Sequence, residues 1–148
     1  MQAAVSKGLK RGIMRGLRQR AFLPMSGLSK TTPLPVEIKL HQASKQLEIH
    51  FDEGSCFILP CEYLRVHSPS AEVRGHGAGP GTLQVGKADV NIIDIVPVGN
   101  YAVKLVFDDG HDSGLYSWDH LYELGRDQAV NWQAYLDKLA QAGASRTP

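Results

Sequence analysis

A chain of 148 residues, 43% apolar and 21% charged, can bury one modest core and is short for more than one domain. No stretch approaches the roughly 20 apolar residues of a membrane-spanning helix, and two cysteines cannot build a disulfide framework, so a reducing, cytoplasmic setting is expected. The formal charge of +1 hides an asymmetry: residues 1–32 hold seven Lys or Arg and no acid, leaving nine basic against fifteen acidic residues in the rest.

Within that basic segment Val5, Leu9, Ile13 and Leu17 recur at helical spacing, and the first 24 residues lack the apolar run of a secretory signal. Such a pattern suits organelle targeting, a membrane surface or a nucleic-acid arm. Without acidic companions it reads as a flexible extension over residues 1–32, with Met25 as an alternative start of translation. The acidic body makes nucleic acid an unexpected partner.

Thr31-Thr32-Pro33-Leu34-Pro35 is an extended lead-in, since proline biases its predecessor away from helix. Val36–Leu40 and Leu47–Phe51 alternate apolar and polar residues around a Gln-Ala-Ser-Lys turn, and Asp52-Glu53-Gly54 turns the chain into a third strand over Ser55–Leu59. Pro60 can open a short helix over Cys61–Val66, ended by Ser68-Pro69-Ser70. From Ala71 to Lys87 the chain is glycine-rich and reads as a long loop.

Val90–Pro97 and Tyr101–Phe107 are the longest strand candidates, and Asp108-Asp109-Gly110 is a hairpin signal that leaves His111 just past a turn. Ser117 is a candidate N-cap for a helix stopped at Gly125. Asp127 can cap a second helix, in which Val130, Trp132, Tyr135, Leu136 and Leu139 form an apolar stripe before Gly143. Strands followed by helices predict an α+β domain over residues 33–143: a mostly antiparallel sheet of five to six short strands with C-terminal helices, then a tail over 144–148.

Catalytic patterns are sparse. His50-Phe51-Asp52 has the His-x-Asp form of two-histidine, one-carboxylate iron sites, yet it lies where a strand enters a turn, which accounts for Asp52 without chemistry. There is no Gly-x-Ser-x-Gly elbow and no P-loop lysine after the glycines of 75–81. Asp108, Asp109 and Asp112 lack the longer calcium-loop pattern. No enzyme activity is expected.

Leu64-Arg65, Ser68 to Gly77, Gly99-Asn100-Tyr101-Ala102 and Asp109 to Trp118 together resemble the gamma-butyrobetaine hydroxylase-like N-terminal domain family over roughly residues 34–125. In its hydroxylase members the resemblance implies a structural zinc held by three cysteines and a histidine. Those positions fall here on Ser68, Ser70, Val73 and His111, so only His111 matches a ligand and no cofactor is expected at that site. A substitute set of Cys61, His67, His76 and His111 is conceivable for zinc, although its spacing matches no recognised pattern.

The resemblance also implies association with Mrp-type P-loop ATPases that carry iron–sulfur clusters. The expectation is therefore a non-catalytic interaction or accessory module for a protein partner, with metal handling and a basic-tail nucleic-acid or membrane-surface binder as alternatives. Its candidate contact surface is Arg65, Ser68, Ser70, Arg74, His76, Asp109, His111, Tyr116 and Trp118. Arg65 and Arg74 could hold an acidic partner or pair with acids of their own domain.

Overall fold

Period-two alternation is the strongest signal in the first half of the chain, and it is realised as a meander. The computed structural model describes residues 6–7, 32–74 and 82–148. In it β2 (Pro35–His41), β3 (Gln46–Phe51) and β4 (Cys56–Pro60) pair antiparallel, with Ile38 opposite Ile49 and Leu47 opposite Leu59. A two-residue strand β1 (Ser6–Lys7) runs parallel beside β2. The remaining readings of the basic segment, and His76, lie outside the described residues.

The later strands do not extend this sheet as expected. β5 (Ile92–Val98), β6 (Ala102–Phe107) and β7 (Leu115–Ser117) form a second antiparallel sheet in that order. β4 runs directly into α1 (Cys61–Val66), whose N-cap is Pro60, so no turn is left to return the chain along the edge of β4. The β5–β6 and β6–β7 hairpins satisfy one another's backbone groups instead. β7 occupies residues expected to lead into a helix.

Both sheets bury one face in a common core. Ile38, Leu40, Leu47, Ile49 and Leu59 from the first meet Ile92, Val103, Leu105, Phe107 and Tyr116 from the second, with Leu64 and Trp118 from the adjoining helices. Residues 71–74, expected in the loop, instead form one helical turn, α2 (Ala71–Arg74).

Ser117 caps α3 (Trp118–Arg126) as read, its side chain accepting the His120 N–H at 3.2 Å. The helix continues through Gly125 because that glycine serves close packing: a Cβ there would lie 2.3 Å from the Phe57 ring. α4 (Gln128–Ala142) ends on Gly143 in the left-handed conformation (φ 63°). Asp127 does not cap it by side chain, its carboxylate being paired with Arg126 at 2.9 Å. Tyr135 and Leu139 pack on Val66 in a smaller cluster that Trp132 joins to the main core, while Val130 of the expected stripe is 72% exposed. Among the described residues no helix is long and apolar enough to cross a membrane.

Candidate functional site

The β6–β7 hairpin is closed where the sequence placed it. Gly110 takes a positive φ of 91°, its N–H donates to the Phe107 carbonyl, and the Phe107 N–H donates to the His111 carbonyl at 2.9 Å. This turns His111 inward beneath the segment that follows α1. There Ser68 Oγ is hydrogen-bonded to His111 Nε2 at 2.9 Å, and Ser70 Oγ to Ser113 Oγ at 2.7 Å. Val73 is buried nearby on α2 and Tyr116 donates its hydroxyl to the Leu64 carbonyl.

The ligand positions implied by the family resemblance therefore fall in neighbouring buried elements, but their chemistry does not suit zinc. One imidazole is present, the two hydroxyls are neutral and hydrogen-bonded, and Val73 offers no donor at all. Hydrogen bonds join α1, α2 and the hairpin where metal bonds would otherwise do so.

The substitute set does not come together among the described residues. Cys61 is buried with Sγ 3.7 Å from Asn91 Oδ1, and burial pushes its thiol up to about 11. His67 donates Nδ1–H to the Tyr63 carbonyl at 2.9 Å, and His111 faces Ser68. The described residues instead group Glu48, His50 and Cys56 on the outer face of the first sheet. Asp52 has the turn role read from the sequence rather than a place beside His50 in a His-x-Asp site, its carboxylate accepting the Leu34 N–H. The cross-strand register, which sets Cys56 opposite His50, is the signal that would have found the group.

Most of the expected contact surface is interior. Ser68, Ser70, His111, Tyr116 and Trp118 are buried, Trp118 donating its indole N–H to the Asn100 carbonyl. Arg65 is buried too, its Nε donating to Asp109 Oδ2 at 2.9 Å, so it pairs with an acid of its own domain. Lys87 Nζ reaches the same oxygen at 2.6 Å, while Asp109 Oδ1 accepts the His111 N–H. Burial opposes ionisation of Asp109, but Lys87, the His111 N–H and Arg65 outweigh it and hold the carboxyl at about 2. Arg74 is exposed.

An open groove of about 870 Å³ lies between the end of α1, residues 82–84, α3 and α4. His67, Leu83, His120, Tyr135 and Lys138 are among its walls. His120 donates Nε2–H to the His67 carbonyl at 3.0 Å, and burial pushes both imidazoles down, keeping them neutral near pH ~7. Sequence reasoning missed His120 and the groove because their walls are drawn from four separated stretches.

Residues 38–122 match the family described as gamma-butyrobetaine hydroxylase-like, N-terminal. Two NMR solution structures are 53% and 55% identical, cover 79% and 84% of this chain and 92% of each of theirs, and superpose with a TM-score of 0.70. The crystal structure of a protein of unknown function from Acidithiobacillus ferrooxidans ATCC 23270, assigned to the DUF971 family, is 34% identical with a TM-score of 0.55. That match covers 66% of this chain and 98% of the other. No curated protein matches. With more than half its length matched, the chain belongs to the gamma-butyrobetaine hydroxylase-like N-terminal domain family.

Proposed function

We propose that this protein is a non-catalytic interaction module that receives a protein partner in the groove between α3, α4 and the segment after α1. The observation that carries the reading is the groove itself, about 870 Å³, with apolar floor residues and charged residues of both signs at its margins. Leu83 and Tyr135 offer apolar surface, whereas Arg74, Lys138, Glu123 and Asp127 can set the orientation of an incoming chain. The family resemblance implies a partner from a metal or iron–sulfur system, such as an Mrp-type P-loop ATPase. Both cysteines are free thiols, which supports a reducing, cytoplasmic setting.

Ala134 is exposed on the groove wall, so Ala134→Arg fills the groove without touching the core. Binding of a purified Mrp-type ATPase should be measurable with the natural chain and weaken at least about tenfold in this variant, the effect of about 1.4 kcal/mol lost from a contact. Equal affinity for both would remove the groove from the reading. No binding to either would remove that partner class.

A further inference from the structure

The outer face of the first sheet is distinct from the groove and carries a different chemistry. β3 turns Glu48 and His50 to this face two residues apart, and the antiparallel register places Cys56 of edge strand β4 opposite His50. One ligand atom from each of the three lies within 4.8 Å of the others. His50 Nε2 contacts Glu48 Oε2 and stands 3.6 Å from Cys56 Sγ. The second carboxylate oxygen accepts from His41 Nε2 on β2 at 2.8 Å. We propose that Glu48, His50 and Cys56 form a binding site for a zinc-type divalent transition-metal ion, with His41 orienting the Glu48 carboxylate.

The donor set selects the ion. Thiolate, imidazole and carboxylate together suit zinc and its neighbours, whereas calcium and magnesium take oxygen ligands. Bonds of about 2.3 Å to sulfur and 2.0–2.1 Å to nitrogen at a tetrahedral angle require the two donor atoms to lie about 3.6 Å apart. That is the observed Cys56–His50 separation of 3.6 Å. Binding replaces the His50–Glu48 hydrogen bond with two metal bonds: His50 ligates as the neutral imidazole with its proton on Nδ1 instead of Nε2, and the Cys56 thiol proton is released to solvent.

Three features favour an exchangeable site over a closed structural one. Among the described residues three protein donors come together, Cys56 is exposed, and β4 is the edge strand, so a fourth position opens to water or to a partner's ligand. Lys39, opposite Glu48 in register, has its ammonium 3.8 Å from the Glu37 carboxylate. His41 supplies the outer hydrogen bond that fixes a ligating carboxylate.

The test uses the full chain purified without a histidine tag. Zinc is titrated in competition with a chromogenic chelator, and cobalt(II) is substituted to read thiolate-to-metal charge transfer. The natural chain and Cys61→Ser should each take up one equivalent and show the band, and Cys56→Ser should lose it. His50→Ala should weaken zinc binding by more than the roughly 10- to 100-fold typical of losing an outer-shell partner, and His41→Ala by about tenfold. His41, His50 and Cys56 are on the outer face of the sheet, so their substitution should leave thermal unfolding unaltered, whereas Cys61→Ser changes a buried position and should lower stability while keeping the band. Failure of the natural chain to bind one equivalent overturns the proposal. So does affinity unchanged by both Cys56→Ser and His50→Ala, or a band lost in Cys61→Ser but kept in Cys56→Ser.

Discussion

Ser68 Oγ and His111 Nε2 stand 2.9 Å apart in the interior, tying the segment after α1 to the β6–β7 hairpin across 43 positions of sequence. Ser68 Oγ also accepts the Ser70 N–H at 3.2 Å, so one hydroxyl serves two elements. Ser68→Ala removes both bonds inside a buried site and should destabilise the fold by about 1–3 kcal/mol. Denaturant unfolding measures this, and a change below about 0.5 kcal/mol would show that packing alone holds the hairpin.

How far the sequence discloses this arrangement depends on the length scale of the signal. The alternation in Val36–Leu40 and Leu47–Phe51 shows which face is buried, and the structure buries that face. It says nothing about which edges pair, so division into two sheets was not legible, nor was β7, three residues long between a hairpin turn and a helix cap. The positions Ser68, Ser70 and His111 were legible through their motif. The burial of Arg65 was not, because an arginine does not disclose whether its carboxylate belongs to a partner or, as here, to Asp109 of its own hairpin.

Asp109 joins Arg65, Lys87 and the His111 N–H on one carboxylate. Its folded pKa, about 2, lies below the ordinary aspartate value, so the unfolded state binds the proton first as pH falls. The stabilisation is fully present above about pH 4 and is lost as pH falls through about 2. Allowing for partial solvent exposure, about 1–2 kcal/mol should disappear in that window. Asp109→Asn should lose that much less between the same two pH values, as read by urea unfolding at each. An identical acid slope in both proteins would remove Asp109 from the account.

Gly125 lies against Phe57, whose ring packs edge-on to Phe51 and Tyr122. Alanine in mid-helix ordinarily gains up to about 1 kcal/mol over glycine. Here the added methyl would meet the ring at 2.3 Å, and overpacking of about 1–3 kcal/mol should outweigh the helical gain. Gly125→Ala should therefore be destabilising in thermal unfolding. Combined with Phe57→Ala, which removes the obstructing ring, the glycine substitution should cost less than it does alone. Additive effects would show that the contact is relieved without strain.

His67 and His120 couple the groove to pH. His67 Nδ1–H donates to the Tyr63 carbonyl, and the His67 carbonyl accepts His120 Nε2–H, so both rings are held as neutral donors. Burial is the main cause lowering both pKa values, Lys138 adding to it at His67 and Arg74 at His120, against the raising effect of each ring's backbone hydrogen bond. As pH falls through about 6.5 the unfolded chain takes up these protons before the folded one does, so stability declines. The decline stops once the folded imidazoles are also protonated. Urea midpoints should fall between about pH 7 and 5, ahead of the carboxylate transitions at lower pH. His67→Gln with His120→Gln keeps an amide donor at each position and removes the titration, so the double variant should have a flatter profile over that interval. Matching slopes in the two proteins would place the titrating groups elsewhere. Where the slope does flatten, binding of a groove partner by the natural chain should weaken at the acid end of that interval, where the decline in stability stops, because only there do the two folded imidazoles add positive charge to the groove.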